Sequence, residues 1–306
     1  MFRSPRYLGV SFLKGQIQIA EVEHGRSVRL TALVEGPFST DLVQAGTSLS
    51  GNHPQLNTFV KELQSLIKRH KLASQYISFA LPPDPLFINI IPVDRSLKGP
   101  SLKEHLDWEM TQYYPDGNKR DFIVGSHVLP GANGNAQQAF VVGLRRGMVE
   151  FVQKAAVAMK IKMHIVDIDQ FSTEKTVILN YPEILEHEIV LFGLRYGGID
   201  ASLIQEGQMI DYRAYRLEAS ANPLGPIQDY LRYLREREIP EPAALILHGI
   251  EIKNDFIKTV RQETGIKQTV AMNAVRRLTV TKNVYAPLLK EIYRFGAAIG
   301  LALRTE

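Results

Sequence analysis

Two similar α/β lobes are predicted by this sequence, and three observations carry the prediction. Strand-like and helix-like segments follow one another in the order β-β-β-α-β-α-β-α, and that order occurs twice. The apolar period changes with it, from two in the strands to about 3.6 in the helices. One block, residues 82–144, interrupts the first copy and carries a β-α-β-β order of its own.

Residues 6–13, 16–23 and 27–34 read as three strands, with Gln16-Ile17-Gln18-Ile19-Ala20-Glu21-Val22-Glu23 alternating polar and apolar. A Gly/Ser/Thr-rich loop (39–51) leads to a helix with Leu56, Phe59, Val60, Leu63, Leu66 and Ile67 on one face. A strand at 76–80, a helix at 147–159, a strand at 163–167 and a helix at 170–180 complete the first copy. The second copy opens with strands at 188–194, 199–205 and 208–215. A helix from near Pro223 turns Ile227, Leu231 and Leu234 inward, and a strand at 243–248 follows. A helix at 254–264, a short strand near 268–271 and a last helix over about 285–303 end it.

Within the interruption, a strand at 85–93, a helix at 101–114 and strands at 121–129 and 136–144 are separated by turn chemistry. Gly117-Asn118 and residues 131–135 supply it. The block is long enough for a small core and is expected to project from the first lobe. The duplicated order is that of the actin-like ATPase fold, a doubled RNase-H-like unit with nucleotide between the lobes. The expected division is a first lobe at 1–81 and 145–183, an insert at 82–144 and a second lobe at 184–306. Residues 228–267 would form the second lobe's smaller subdomain.

Composition narrows the chemistry. Among 306 residues there is no cysteine, which excludes disulfides, thiolate metal sites and cysteine nucleophiles. No apolar run is long enough for a membrane span, and the N-terminal segment breaks off at Lys14 before a signal-peptide core could form. The net charge of +4 is a weak bias. Basic clusters such as Lys68-Arg69-His70-Lys71 and Arg276-Arg277 lack interleaved aromatics, so nucleic acid is not expected. Eight histidines show no His-x-x-x-His or His-Glu-x-x-His spacing, so no metal site is expected. No Gly-x-Ser-x-Gly is present, and nucleophilic hydrolysis is not expected.

The segment Trp108-Glu109-Met110-Thr111-Gln112-Tyr113-Tyr114-Pro115 resembles the W-E-x-x-Q-Y-x-P stretch of the PilM family. Ala80-Leu81-Pro82, Phe87-Ile88-Asn89-Ile90-Ile91-Pro92, Val166-Asp167-Ile168-Asp169 and the run from Phe295 to Arg304 extend the resemblance over nearly the whole chain. These are actin-like proteins of type IV pilus assembly, related to FtsA and to the cytoplasmic domain of GspL. The resemblance implies an FtsA/PilM-type insert and a cytoplasmic protein held at the inner membrane through its partner. The expected partner is the cytoplasmic tail of a PilN-like single-span protein, with other pilus or secretion assembly proteins beside it and a homodimer as a further option. Phe87, Trp108, Tyr113 and Arg145 are the candidate partner-groove residues. FtsA carries a membrane-targeting tail that this chain, ending at Arg304-Thr305-Glu306, is not expected to match.

The departures from the family fall on its nucleotide segments. Its first hairpin, L-G-I-D-I-G-S-S-S-V-K, becomes Leu8-Gly9-Val10-Ser11-Phe12-Leu13-Lys14-Gly15-Gln16-Ile17-Gln18, with Ser11 at the Asp position, Leu13 at a Gly and Gln18 at the Lys. The second, D-x-G-x-x-x-T, becomes Gly193-Leu194-Arg195-Tyr196-Gly197-Gly198-Ile199-Asp200, with Gly193 at the Asp and Arg195 at the Gly. The adenosine segment S-G-G-G-A becomes His248-Gly249-Ile250-Glu251-Ile252. With carboxylates and glycine cradle replaced together, a non-hydrolysing member without cofactor is expected. Mg·ATP binding is the alternative, in which Lys14, Gly15, Asp167, Arg195, Gly197, Gly198 and Gly249 would line the cleft. Two of these, Lys14 and Arg195, could instead hold an anion without metal. Asp167 and Asp169 read either as cleft carboxylates or as a helix N-cap and turn. Trp108 either fills the core of the insert or is an exposed anchor. The small residues Gly296, Ala297, Ala298, Gly300 and Ala302 suit a helix-dimer face or close packing under the second-lobe sheet.

Overall fold

The computed structural model describes residues 4–46, 48–114, 121–129, 136–218 and 222–305. The chain begins with β1 (Arg6–Leu13), β2 (Gln16–His24), β3 (Val28–Pro37), a short α1 (Leu42–Ala45), α2 (Leu56–Arg69) and β4 (Tyr76–Leu81). Next come β5 (Phe87–Asp94), α3 (Gly99–Tyr113), β6 (Phe122–Leu129) and β7 (Ala136–Arg145). The first half closes with α4 (Arg146–Met159), β8 (Lys162–Ile168) and α5 (Asp169–Asn180). The second half runs β9 (Ile189–Arg195), β10 (Gly198–Gln205), β11 (Gln208–Arg216), α6 (Leu224–Glu236), β12 (Ala244–Gly249), α7 (Asn254–Thr264) and β13 (Thr269–Ala271). It ends with β14 (Thr279–Val280), α8 (Ala286–Leu289) and α9 (Gly296–Ala302). Pro115, Gly117-Asn118 and the 131–135 turn lie outside the described residues.

The two large sheets share one topology. The first has the order β14-β3-β2-β1-β4-β8 and the second β11-β10-β9-β12-β13. Leaving β14 aside, each is an antiparallel three-stranded meander continued by two parallel strands. The polar side of β2 is also buried, and its groups find partners. Glu21 accepts bonds from the Ala73 N–H (2.7 Å), Ser74 (3.0 Å) and Thr31 (2.6 Å).

The C-terminal segment departs from the single helix expected over 285–303. Pro287 starts α8, the chain bends at the exposed Lys290 and Glu291, and a one-turn 3-10 helix (Ile292–Phe295) leads into α9. One straight helix could not join an exposed segment to one buried on every side, as all seven α9 residues are. Nor does α9 pack only under the second-lobe sheet. It lies against α5, β1, β2 and β4, so closely that a Cβ on Gly9 would fall 1.9 Å from the Ala298 carbonyl. Ile189, Leu191 and Ile246 of the second sheet join the same cluster, so α9 is held between the lobes. The small-residue stripe is thus consumed inside the fold rather than free as a dimer face. Thr279–Val280 likewise pairs with β3 of the first sheet. Residues 184–306 are therefore not all second lobe: the chain returns to the first lobe to end.

The inserted block has its own sheet, ordered β5-β7-β6. On one face, Leu106 and Met110 of α3 pack on Phe87, Ile91, Val93, Phe122, Ala139 and Val141. The other face does not project into solvent. Leu129 and Phe140 form a cluster with Tyr212 of β11, joined by Met209 and by Phe171 of α5, so the insert rests on the second lobe.

Candidate functional site

Each lobe points a two-residue hairpin at the cleft. Leu13 pairs with Gln16 around Lys14-Gly15, and Arg195 pairs with Gly198 around Tyr196-Gly197. Gly15 and Gly197 both take positive φ, +70° and +79°. Lys14 and Gly15 are exposed at the tip, while Leu13 packs against the hydrophobic cluster of the second lobe. The residues at the family's Asp and Lys positions face each other: the Ser11 hydroxyl donates to Gln18 Oε1 at 3.5 Å, and Gln18 donates to Glu35 at 3.0 Å.

Arg195 spans the cleft. Its Nη1 donates to both carboxylate oxygens of Asp84, at 2.8 and 2.9 Å, and its Nε to Asp200 at 2.7 Å. Asp84 lies between β4 and β5, on the segment that enters the insert. The Tyr212 hydroxyl completes the group by donating to the other Asp200 oxygen at 2.8 Å. Gly198 makes the conformation possible, because a Cβ there would sit 2.8 Å from the Arg195 guanidinium carbon. Burial disfavours the guanidinium charge, but Asp200 and Asp84 outweigh it and hold Arg195 firmly protonated. Two carboxylates of the chain itself therefore occupy the cation proposed for an anion.

Beside it, Gly193 stands at the family's aspartate position, and its missing side chain leaves room for a buried pair. A Cβ there would come within 2.4 Å of Gln170 Oε1 and 2.6 Å of His248 Nε2. Burial pushes the His248 imidazole down to about 3, so the ring is neutral. Gln170 spends its amide N–H groups on the Leu191 carbonyl (3.0 Å) and Ser202 (2.9 Å), which leaves Oε1 to accept from His248 Nε2–H at 2.8 Å. Gly249 follows with φ +102°, against the Leu194 carbonyl.

Of the carboxylates where β8 passes into α5, Asp167 is also committed. Asp167 accepts from Arg304 at 2.6 Å and from the Ser172 hydroxyl at 3.2 Å, fixing the C-terminal segment to the start of α5. Among the described residues one buried oxygen of Asp169 has no partner, and burial together with Asp200 pushes its carboxyl well above the usual range. One turn on, burial raises Glu174 to about 8. Sequence reasoning missed Asp84, Gln170, Glu174 and Tyr212. A signal existed for Asp84, which sits in the stiff run Pro82-Pro83-Asp84-Pro85.

At the insert, three of the four groove candidates meet at one corner. The Phe87 and Tyr113 rings lie 5.0 Å apart, Phe87 buried and Tyr113 52% exposed. Arg145 donates to the Pro85 carbonyl at 2.8 Å and lies over the Tyr114 and Phe122 rings. Trp108 is elsewhere. Leu106 and Met110 face the sheet, and at about 100° per residue Trp108 points the opposite way. It is 55% exposed and stacks on His105, so it is no part of the insert core.

The profile of the family "Type IV pilus assembly protein PilM" matches residues 9–215. No curated protein matches the sequence. The "PilM-PilN type IV pilus biogenesis complex" is similar with a TM-score of 0.79 and 17% identity, covering 97% of this chain and 98% of that one. A Bacteroides thetaiotaomicron protein with an actin-like ATPase fold and unknown function is similar with a TM-score of 0.50 and 14% identity, over 89% and 92%. Among the described residues no helix is long and apolar enough to cross a membrane. The fold is actin-like, and the chain belongs to the PilM family of type IV pilus assembly proteins.

Proposed function

We propose that this chain is a scaffold of type IV pilus or related secretion assembly that captures the cytoplasmic tail of a PilN-like single-span protein. It works without hydrolysing ATP. The observation that carries the reading is the likeness, over nearly the full length of both chains, to PilM in a PilM–PilN complex. A half-exposed Tyr113 beside Phe87, at the corner where the insert leaves the first lobe, offers an apolar anchor point for an extended tail. Membrane attachment comes through that partner, at the cytoplasmic face of the inner membrane.

The cleft residues support the absence of hydrolysis, because they do not fit Mg·ATP. The Arg195 guanidinium is neutralised by Asp84 and Asp200, Leu13 crosses to the other lobe, and Gln170 with His248 fills the space beside Gly193. The test is calorimetric titration with the N-terminal peptide of a single-span protein encoded beside this chain. Saturable binding, weakened about tenfold by Tyr113→Ala at an unchanged melting temperature, is expected. Equal binding by Tyr113→Ala refutes this corner. Substitution of Arg145 would not separate binding from folding, because its side chain also bonds the Pro85 carbonyl and lies over the Phe122 ring.

A further inference from the structure

The second sheet ends in a strand, β11, whose outer edge pairs with no other strand among the described residues, and whose C-terminal half is exposed. Among the described residues its partner in that sheet is β10. The Leu217 N–H donates to the Gly197 carbonyl, which fixes the phase of the ladder. Bonded and non-bonded pairs alternate from there, so Tyr212, Ala214 and Arg216 turn their N–H and C=O groups outward. A groove of about 630 Å³ lies between this edge and Ile88, Asn89 and Ile90 of β5. Strand β5 is the poorer template of the two. Its Ile90 N–H is taken by the Asn89 side chain at 2.9 Å, and Pro92 has no donor.

Charge selects the occupant. Four arginines and two aspartates line the groove: Arg195, Arg213, Arg216 and Arg237 against Asp84 and Asp211. Asp84 is spent on Arg195. The Asp211 carboxylate accepts from Tyr230 at 2.9 Å and Tyr233 at 3.2 Å and lies 3.8 Å from Arg237. Among the described residues, Arg213 and Arg216 have no carboxylate at ion-pair distance. Arg213 is held over the Tyr233 ring, its guanidinium carbon 3.3 Å from the centroid, so its direction is fixed before any ligand arrives.

We propose that β11 binds an extended acidic peptide by strand addition. The outward N–H and C=O groups of Ala214 and Arg216, at the exposed end of the strand, bond its main chain. Arg213 and Arg216, three residues apart and so on opposite faces of the strand, take its carboxylates. The site lies on the face of the insert opposite Phe87, so it is separate from the tail corner and could be filled at the same time.

The test probe is a fluorescein-labelled decapeptide, Val-Val-Glu-Glu-Val-Val-Glu-Glu-Val-Val, whose paired glutamates present carboxylates on both faces of an added strand, read by fluorescence anisotropy on the full chain. Saturable binding that weakens with salt is expected, with none for the Val/Lys counterpart. The Arg213→Glu/Arg216→Glu double variant should bind at least about tenfold more weakly. Ala214→Pro, which removes an outward N–H and no charge, should do the same. Hydrogen exchange on the unmodified chain is the second readout: the probe should slow exchange across residues 208–216. The proposal is overturned by any of four results: no saturable binding, equal binding of the Val/Lys peptide, wild-type affinity in Ala214→Pro, or unchanged exchange in β11. A doubled mass in light scattering that Ala214→Pro abolishes would assign the edge to a second copy of the chain instead.

Discussion

Arg195 and Asp84 lie 111 residues apart in sequence and meet through two hydrogen bonds of 2.8 and 2.9 Å across the cleft. One stands on the first strand of the second sheet, the other on the segment leading into the insert. Asp200 takes the remaining edge of the guanidinium, so three charged groups meet between the lobes. The contact ties three parts of the molecule together: the second lobe, the exit of β4 and the base of the insert.

Removing Arg195 should be costly. Arg195→Ala leaves Asp200 buried beside a single tyrosine hydroxyl, and about 3 kcal/mol of stability should be lost in urea unfolding. Asp84 is partly exposed, so Asp84→Ala should cost only about 1 kcal/mol. The double variant should cost less than the sum, and additivity would mean that the pair is not coupled.

Glu174 sets an alkaline limit. Burial raises its carboxyl to about 8 from an ordinary 4.5, so the folded chain keeps a proton that the unfolded chain has released. This contribution is fully present below pH 4.5 and is lost as pH rises through 8. Glu174→Gln should match the wild type at pH 5 and exceed it by about 1–3 kcal/mol at pH 9. Parallel stability curves for the two proteins between pH 5 and 9 would contradict the assignment.

His248 acts on the acid side with the opposite sign. Burial lowers it from 6.5 to about 3, so the unfolded chain binds the proton first and stability falls as pH drops below 6.5. Gly193→Ala should press on the Gln170–His248 pair and cost about 2 kcal/mol at pH 7. A neutral effect would show that the pocket can relax.

Trp108 gives a simpler check on the insert. Because its ring lies on the outer side of α3, Trp108→Ala should change stability by less than about 0.5 kcal/mol. A loss of several kcal/mol would return Trp108 to the core.

Much of the fold is legible in the sequence because local pattern and global order agree. The stripe from Leu56 to Ile67 and the two β-β-β-α-β-α-β-α runs mark elements that the structure contains. The C-terminal segment was not legible. Two residues of β14 are too few to show a period, and the glycine-alanine run of α9 takes its meaning from Gly9 and α5, which sequence spacing does not bring near. The cleft was half legible. The replaced residues Ser11, Gly193 and Arg195 stand out against a family pattern, but their partners Gln18, Gln170 with His248, and Asp84 are set by register and by tertiary approach. Trp108 could have been placed by the helical wheel alone, since Leu106 and Met110 define the buried side of α3.

Whether the cleft of this PilM-family chain is closed to nucleotide is decided by calorimetric titration of the purified protein with ATP in excess Mg²⁺. With Arg195 held by Asp84 and Asp200, and Leu13 packed across to the other lobe, no saturable heat is expected at micromolar protein. A dissociation constant in the low-micromolar range or below would contradict it, and the cleft would have to be read as a working nucleotide site.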